Sequence, residues 1–415
     1  MTGRAVVVGA GAIGVASAYF LVRSGFDVTL VDRGEVGHGC SYGNACLIVP
    51  SHSDPIPGPG VIGQALRWMV RHDSPFYIRS RFDPSLVAWG WKFRRYCNRE
   101  AVQRGYAALA GLSRGSLALY DELTSAKEAD FFFEKRGLLE VYLTPNSVKR
   151  GRSELDLLTQ NGFPARLVTA NEARELEPAL SPAICGGLFI ESEAHGHCYG
   201  YVRALAGSVQ ESGGRVVTGR PIERIVVSNR RVQGISLGDP PEEIAADVVV
   251  LAAGCWSRSI AQSIGIDIPL QPAKGYSATI DAFEGGPRIP LLVKEHRVIV
   301  TPLDGRLRFG GTLELAGYDL GIDQARYRAV VRAGLKVLRD KPPMKNEASW
   351  CGLRPVTPDG LPIIDRLREP QGLILATGHA MLGFTQSPMT GKLVAELARG
   401  DRPSLSLEPF RLDRF

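Results

Sequence analysis

Arg4-Ala5-Val6-Val7-Val8-Gly9-Ala10-Gly11-Ala12-Ile13-Gly14 opens the chain, and Asp32 follows the next apolar run, Asp27 to Val31. An Ala/Val run without polar alternation predicts a strand buried on both faces, as in a parallel sheet. The spacing Gly9-x-Gly11-x-x-Gly14 predicts a tight turn into a helix. The first glycine permits the turn, the second lets a pyrophosphate approach the backbone, and the third lets helix and strand pack closely. Free N–H groups at the helix start then face the phosphates, where the helix dipole favours negative charge. Asp32, at the carboxyl end of the second strand, is placed to accept both hydroxyls of an adenosine ribose, and its charge repels a 2′-phosphate. A glycine triplet alone is a weak signal. Strand, helix, strand and terminal acid within about thirty residues make it a strong one, and the chain is expected to bind an adenine dinucleotide other than NADP.

The rest of the chain bears on which dinucleotide. Ala246 to Leu251 reads as another buried strand, running into Ala252-Ala253-Gly254-Cys255-Trp256. Gly372 to Thr377 reads as a third, followed by Gly378-His379. Gly383-Phe384-Thr385 then opens a last amphipathic helix through Leu393, Val394 and Leu397. NAD enzymes usually need only the first unit, whereas FAD is commonly held from both ends of a chain. A helix N-terminus delivered by a glycine turn stabilises negative charge such as that on the N1–C2=O edge of a reduced flavin. An ordinary crossover helix of an α/β sheet has the same appearance.

Composition narrows the class. With 415 residues, 44% apolar content and a net charge of +6, the chain fits a globular protein with large cores and offers no dense basic surface for nucleic acid. Its seven cysteines lack a CxxC pattern, and an odd count argues against a disulfide framework. His195 and His197 stand two apart with no acid or cysteine to complete a metal site, so no metal is expected. No leader precedes the first strand, and no apolar run approaches the roughly 20 residues of a membrane span. A cytoplasmic location follows as the default. Trp89, Trp91, Phe93 and Tyr96, interleaved with Lys92, Arg94 and Arg95, allow either ordinary helix packing or peripheral contact with the inner face of a membrane.

The organisation reads as interleaved, in a mixed α/β (α+β) fold. Residues 1–50, 193–264 and 346–415 are assigned to a Rossmann-type cofactor domain. Residues 51–192 and 265–345 are assigned to a substrate domain built on a mixed, largely antiparallel sheet. Its strands include Leu138 to Leu143, Val298 to Thr301 and Leu307 to Phe309. Within the cofactor domain, Glu223–Val227 and Val232–Leu237 read as an antiparallel pair.

Beyond the first motif, with Asp32-Arg33, several signatures occur in order. They are Cys40-Ser41-Tyr42-Gly43-Asn44-Ala45, Pro272-x-Lys274-Gly275-Tyr276, Arg308-x-Gly310-Gly311-Thr312-Leu313-Glu314, Trp350-x-Gly352-Leu353-Arg354-Pro355-x-Thr357-Pro358-Asp359-Gly360, and Gly378-His379-x-x-x-Gly383-x-Thr385. Over nearly its whole length the chain resembles the FAD-dependent glycine/D-amino acid oxidase family, and within it the D-amino acid dehydrogenase branch. Val49-Pro50-Ser51-His52 with Pro59-Gly60, the stretch Ser74 to Ile78, and Gly378 to Gly383 are most similar to members acting on D-proline and D-hydroxyproline.

The resemblance implies FAD as cofactor. It places Gly9 to Gly14, Asp32, Arg33, Cys40, Ser41, Asn44 and Ala45 around its phosphates, ribose and flavin. It adds Ile222, Ala253, Gly254, Trp256 and Gly352, then Gly378, His379, Met381, Leu382, Gly383, Phe384 and Thr385. It implies hydride transfer from a D-amino acid Cα to flavin N5, giving an imine or a 2-oxo acid and ammonia; a dehydrogenase then passes the electrons to a quinone or protein, and an oxidase passes them to O₂. Arg354 is implied to grip the substrate carboxylate in two parallel hydrogen bonds; pairing with Asp359 or Asp365 is the alternative. Oxidases of the family often place a second carboxylate ligand, a Tyr, in the strand corresponding to Val298–Val300, where this chain has none. His52 is a candidate proton acceptor or a loop histidine capping backbone. Tyr276 is a candidate at the site or a core residue. The cysteine that attaches FAD in sarcosine oxidases falls at Gly352, one residue from Cys351, which favours non-covalent FAD. Cys46 stands where related chains usually have Gly. The rival readings are a sarcosine- or glycine-type amine oxidase releasing hydrogen peroxide, and a tRNA-modifying flavin domain, which would need a basic surface.

Overall fold

The computed structural model describes residues 3–69, 76–79, 81–126 and 129–415. Ser74 and Pro75, from the stretch compared with proline-specific enzymes, lie outside them. Arg4–Val8 forms a strand whose last four residues are buried, and it pairs in parallel with Asp27–Val31 on one side and Val248–Leu251 on the other. Arg215–Val217 and Leu373–Thr377 extend this sheet in parallel, and Ile363–Arg366 closes it antiparallel, giving six strands. Strands buried on both faces need cover on both. The helices Ala12–Arg23, Cys198–Glu211 and Gly383–Arg399 cover one face. A three-stranded sheet, Ile222–Ser228, Arg231–Leu237 and Glu242–Ala245, covers the other. Its third strand carries no clear alternation of apolar and polar residues and was missed.

The expected mixed, largely antiparallel sheet is present, with nine strands. Its order is Ala348–Val356, Gln271–Asp281, Arg306–Leu315, Val298–Leu303, Leu291–Val293, Leu138–Tyr142, Gly186–Ile190 and Ala165–Thr169, with Phe76–Ile78 alongside Leu313–Leu315. The edge strand Ala348–Val356 pairs along its length with Gln271–Asp281. The segment from 346, assigned above to the cofactor domain, therefore begins in this nine-stranded sheet, called the roof sheet below, and Arg354 belongs to it. Leu47–Ile48, Ala194–Gly196 and Phe133–Glu134 form a small separate sheet.

Helix Pro84–Arg95 starts at Asp83, whose carboxylate accepts the Leu86 N–H at 3.1 Å. Trp89 is buried and donates Nε1–H to the Val356 carbonyl, Phe93 stacks on it, and Tyr96 donates to the Arg414 carbonyl. Only Trp91 of these four aromatics is exposed, at 64%. Three of the four rings are thus used inside the protein. No helix among the described residues is long and apolar enough to cross a membrane.

Candidate active site

The glycine turn has the shape that a pyrophosphate requires. A Cβ on Gly14 would lie 1.7 Å from the Gly9 carbonyl oxygen, so helix and strand meet with no side chain between them. Gly9 adopts φ +104°, and a Cβ there would lie 2.6 Å from the Ala252 carbonyl oxygen. A Cβ on Gly11 would meet only the Ser41 hydroxyl, at 3.4 Å, so that face of the turn is open. Helix Ala12–Arg23 has no acid in its first turn and no side-chain cap on Gly11; the Ser41 hydroxyl accepts the Ala12 N–H at 3.0 Å. Asp32 accepts the N–H groups of Ala10 at 2.7 Å and Gly34 at 2.8 Å. A carboxylate offers about four lone-pair positions, so Asp32 retains capacity for ribose hydroxyls. The Arg33 guanidinium lies over the Trp256 ring, and Ile222 and Ala253 border the core beside Val31. An anion cradle free of acids beside a diol-accepting carboxylate fits FAD.

The segment Cys40 to Cys46 is bound to the roof sheet. Arg308 donates to the carbonyls of Tyr42 at 3.1 Å and Asn44 at 2.8 Å, and Thr301 donates to that of Ala45 at 2.7 Å. The Cys40 thiol donates to the Leu353 carbonyl. Cys46 is buried at φ +65°, a conformation that favours glycine. Arg308 stands in a signature quoted above without a role; a guanidinium between Leu307 and Phe309 was a usable signal of one. Trp350 lies flat against Gly43 and Gly352; a Cβ on either would fall 2.1 Å from its ring. The side-chain direction of Gly352 is therefore filled by indole.

At the carboxyl-terminal turn, Gly378 has φ +83° and Ala380 +45°. The His379 ring is buried against the Thr390 hydroxyl at 3.0 Å, and burial pushes its pKa down to about 3, so it packs as a neutral ring. Leu382 precedes helix Gly383–Arg399, which has no side-chain cap, and Met381 is half exposed. Thr385 accepts the Val49 N–H and donates to the Leu47 carbonyl, both at 3.2 Å, while Tyr120 donates to the Phe384 carbonyl. The start of this helix is thereby tied to the strand that leads to His52.

Arg354 is half-buried, and no carboxylate among the described residues pairs with it. Asp359 is instead bound by Arg414 at 2.6 and 3.1 Å, and Asp365 accepts the Leu412 N–H at 2.9 Å. The alternative of a structural ion pair is thus closed. The Arg354 side chain crosses the next strand over Gly275, where a Cβ would lie 2.1 Å from Nη1, and Nη1 donates to the Thr312 carbonyl at 2.8 Å. Burial lowers its pKa, but a guanidinium stays charged. Tyr276 corrects an expectation. Strand neighbours alternate faces, so Tyr276 points away from Gly275 and Arg354. It is 1% exposed in the core and donates to Glu314 at 2.6 Å. Cys351 shares its side of the sheet, with its thiol donating to the Leu320 carbonyl at 2.9 Å.

His52 is held at both ring nitrogens, by the Ser51 hydroxyl and by Glu140 Oε1, each at 3.0 Å. Glu140 is fully buried in an apolar strand and also accepts Lys294 Nζ at 2.8 and 2.9 Å. Burial opposes charge on both groups, yet their hydrogen bond and attraction prevail. His52 is raised above its ordinary value, and Glu140, helped by Lys294, is lowered to about 2. Glu193 is buried beside them; its Oε1 accepts the Ser51 N–H at 3.3 Å while Oε2 has no partner, and burial pushes it up to about 7. A Glu inside Leu138–Tyr142 was a legible sign of this cluster. Native Glu193 holds a proton that its unfolded form has released by about pH 5, and native His52 keeps one that unfolded His loses near pH 6.5. Both make stability fall as pH rises through neutrality. Stability against thermal unfolding is expected to decline from about pH 5 to 8, by a Glu193 share on the order of 3 kcal/mol. Glu193→Gln should flatten that decline; an unchanged slope would show that Glu193 does not titrate there.

A family model described as FAD dependent oxidoreductase matches residues 4–397. A D-amino acid dehydrogenase of Paramagnetospirillum magneticum is 33% identical, over 99% of both chains. One from Dechloromonas aromatica is 34% identical, over 96% of this chain and 98% of the other. Glycine oxidase from Geobacillus kaustophilus shares the fold with a TM-score of 0.78 at 24% identity, covering 100% of this chain and 99% of its own. The chain belongs to the FAD-dependent oxidoreductase family, as an enzyme whose cofactor is FAD.

Proposed function

We propose that this enzyme oxidises D-amino acids, that D-proline or a 4-hydroxy-D-proline is its preferred substrate, and that a quinone or protein accepts the electrons. The observation that carries the reading is Arg354: a half-buried guanidinium without a carboxylate partner, set on a sheet facing the cofactor segment. A buried unpaired charge is costly unless a ligand pairs with it, and a substrate carboxylate matches its planar fork. Bound FAD supplies the hydride acceptor. Arg354 holds the carboxylate and thereby fixes Cα, and such positioning supplies much of the rate. With the carboxylate fixed, only one enantiomer presents its hydrogen while its side chain finds room. His52, engaged at both nitrogens by Ser51 and Glu140, orders its loop and has no free lone pair to offer. The Cys351 thiol, on the opposite side of the sheet from Arg354, supports non-covalent FAD.

The test is anaerobic mixing with D- and L-amino acids while the flavin band is followed. D-proline or 4-hydroxy-D-proline should bleach it faster than D-alanine, and all three faster than any L-amino acid. Faster bleaching by L-proline or D-arginine removes the proposal. Rapid hydrogen peroxide release with sarcosine in air would assign an amine oxidase instead.

A further inference from the structure

Arg354 owes its direction to a defect in the sheet beside it. Along Gln271–Asp281 and Arg306–Leu315 the pairing runs Tyr276 with Gly311 but Lys274 with Glu314. Two steps on one strand thus match three on the other, and the extra residue is a β-bulge. Within it Thr312 sits at φ +66°. A β-branched residue rarely adopts this left-handed conformation, and it is strained there. The bulge is also where the strand changes neighbour: Ile299 to Leu303 pair with residues up to Gly310, while Leu313 to Leu315 pair with Phe76 to Ile78. The Thr312 carbonyl thereby leaves the ladder and accepts Arg354 Nη1 at 2.8 Å. Between them, Gly275 leaves its face bare, so the guanidinium can lie across the intervening strand.

We propose that Thr312 is a positioning residue for Arg354: its strained backbone turns a main-chain carbonyl onto one guanidinium nitrogen and so aims the remaining N–H groups at the substrate carboxylate. This rests on Arg354 as the carboxylate ligand. One carbonyl fixes the plane of the fork as well as its location, and a two-pronged contact depends on that plane. A half-buried, desolvated Arg without such a tether would spread over several rotamers and lose part of its grip on binding. The Thr312 side chain itself has no part in this; what matters is where its carbonyl points.

Deletion of Thr312 realigns the two strands and withdraws the carbonyl. In anaerobic titrations of flavin reduction, the apparent Kd for a reducing D-amino acid should rise at least tenfold, with FAD retained. The same deletion in an Arg354→Lys background should add less than twofold, because residues that act through one another are non-additive; a merely structural role would add its full effect in both. Replacing Leu313 by its α-hydroxy analogue makes the 312–313 linkage an ester, which weakens the Thr312 carbonyl as an acceptor without removing a residue. It should raise Kd severalfold, and it decides the matter if the deletion does not fold. If the ester leaves Kd unchanged, or the deletion and Arg354→Lys effects multiply, the positioning role is wrong. If Arg354→Lys itself binds D-amino acids normally, the carboxylate assignment is what fails.

Discussion

Arg354→Lys is expected to weaken binding of a reducing D-amino acid about thirtyfold while the protein stays yellow. Lysine keeps the charge but offers a compact ammonium in place of a planar fork. One of two charge-assisted bonds to the carboxylate is lost, at a cost of about 2 kcal/mol. A second loss falls on the protein itself. The guanidinium spans Gly275 to reach the Thr312 carbonyl, and an ammonium committed to the substrate leaves that carbonyl without its present partner. Flavin reduction should slow as well, because a carboxylate held at one point lets Cα swing away from its reactive alignment. Stopped-flow reduction under nitrogen separates the two effects as a change in the concentration dependence and in the limiting rate. Unchanged binding would transfer the carboxylate to another cation. Arg297 is the next to test: it lies at φ +50° with its guanidinium over the Trp68 ring, and burial lowers its pKa.

What could be read from the residues alone follows a physical division. The turn from Val8 to Gly14, the strands around it and the last helix were legible because local patterns specify them: a run buried on both faces, glycines that backbone contact demands, and an amphipathic helix behind a turn. The antiparallel roof was legible from alternation at Val298 to Thr301 and Leu307 to Phe309. The place of Ala348–Val356 was not, because pairing between strands separated by about 75 positions of chain depends on loop paths that carry no local signature. The candidate site divides in the same way. Arg354, Asp32 and Ser41 stand in motifs; the structure puts Asp32 and Ser41 at the glycine turn and Arg354 on the nine-stranded sheet. Thr312 was invisible, since nothing in Gly310-Gly311-Thr312 says that the threonine rather than a glycine takes the left-handed bend. Tyr276 misled because alternation alone does not say which side of a sheet faces the cofactor. The Glu140 cluster was readable and unread: a carboxylate inside Leu138–Tyr142 required buried partners, and His52 and Lys294 are those partners.

Gly14→Ala and Gly11→Ala are expected to lose FAD for different reasons. At Gly14 the added methyl would lie 1.7 Å from the Gly9 carbonyl oxygen, where carbon and oxygen normally keep roughly 3.3 Å apart. The obstacle is backbone on both sides, so the helix must move away from the strand by about 1.6 Å. The core that this helix shares with Cys198–Glu211 and Gly383–Arg399 must move with it. Overpacking of that kind typically costs 1–3 kcal/mol. The variant should therefore unfold at a lower temperature even when stripped of FAD, and it should purify largely colourless. At Gly11 the methyl meets only the Ser41 hydroxyl, at 3.4 Å, and otherwise points into the open face of the turn. The FAD-free protein should then unfold as the wild type does, since Gly11 has an extended backbone (φ −82°, ψ −176°) that alanine adopts freely, and the methyl displaces nothing. Its methyl stands where the pyrophosphate must approach the N–H groups, so FAD affinity should fall at least a hundredfold, about 2.7 kcal/mol or more. Differential scanning fluorimetry of the stripped proteins, paired with FAD titration by flavin fluorescence, measures both quantities. Normal FAD affinity in Gly11→Ala would remove the phosphates from this turn. A normal melting temperature in stripped Gly14→Ala would mean that the helix and strand are not locked together by their missing side chain.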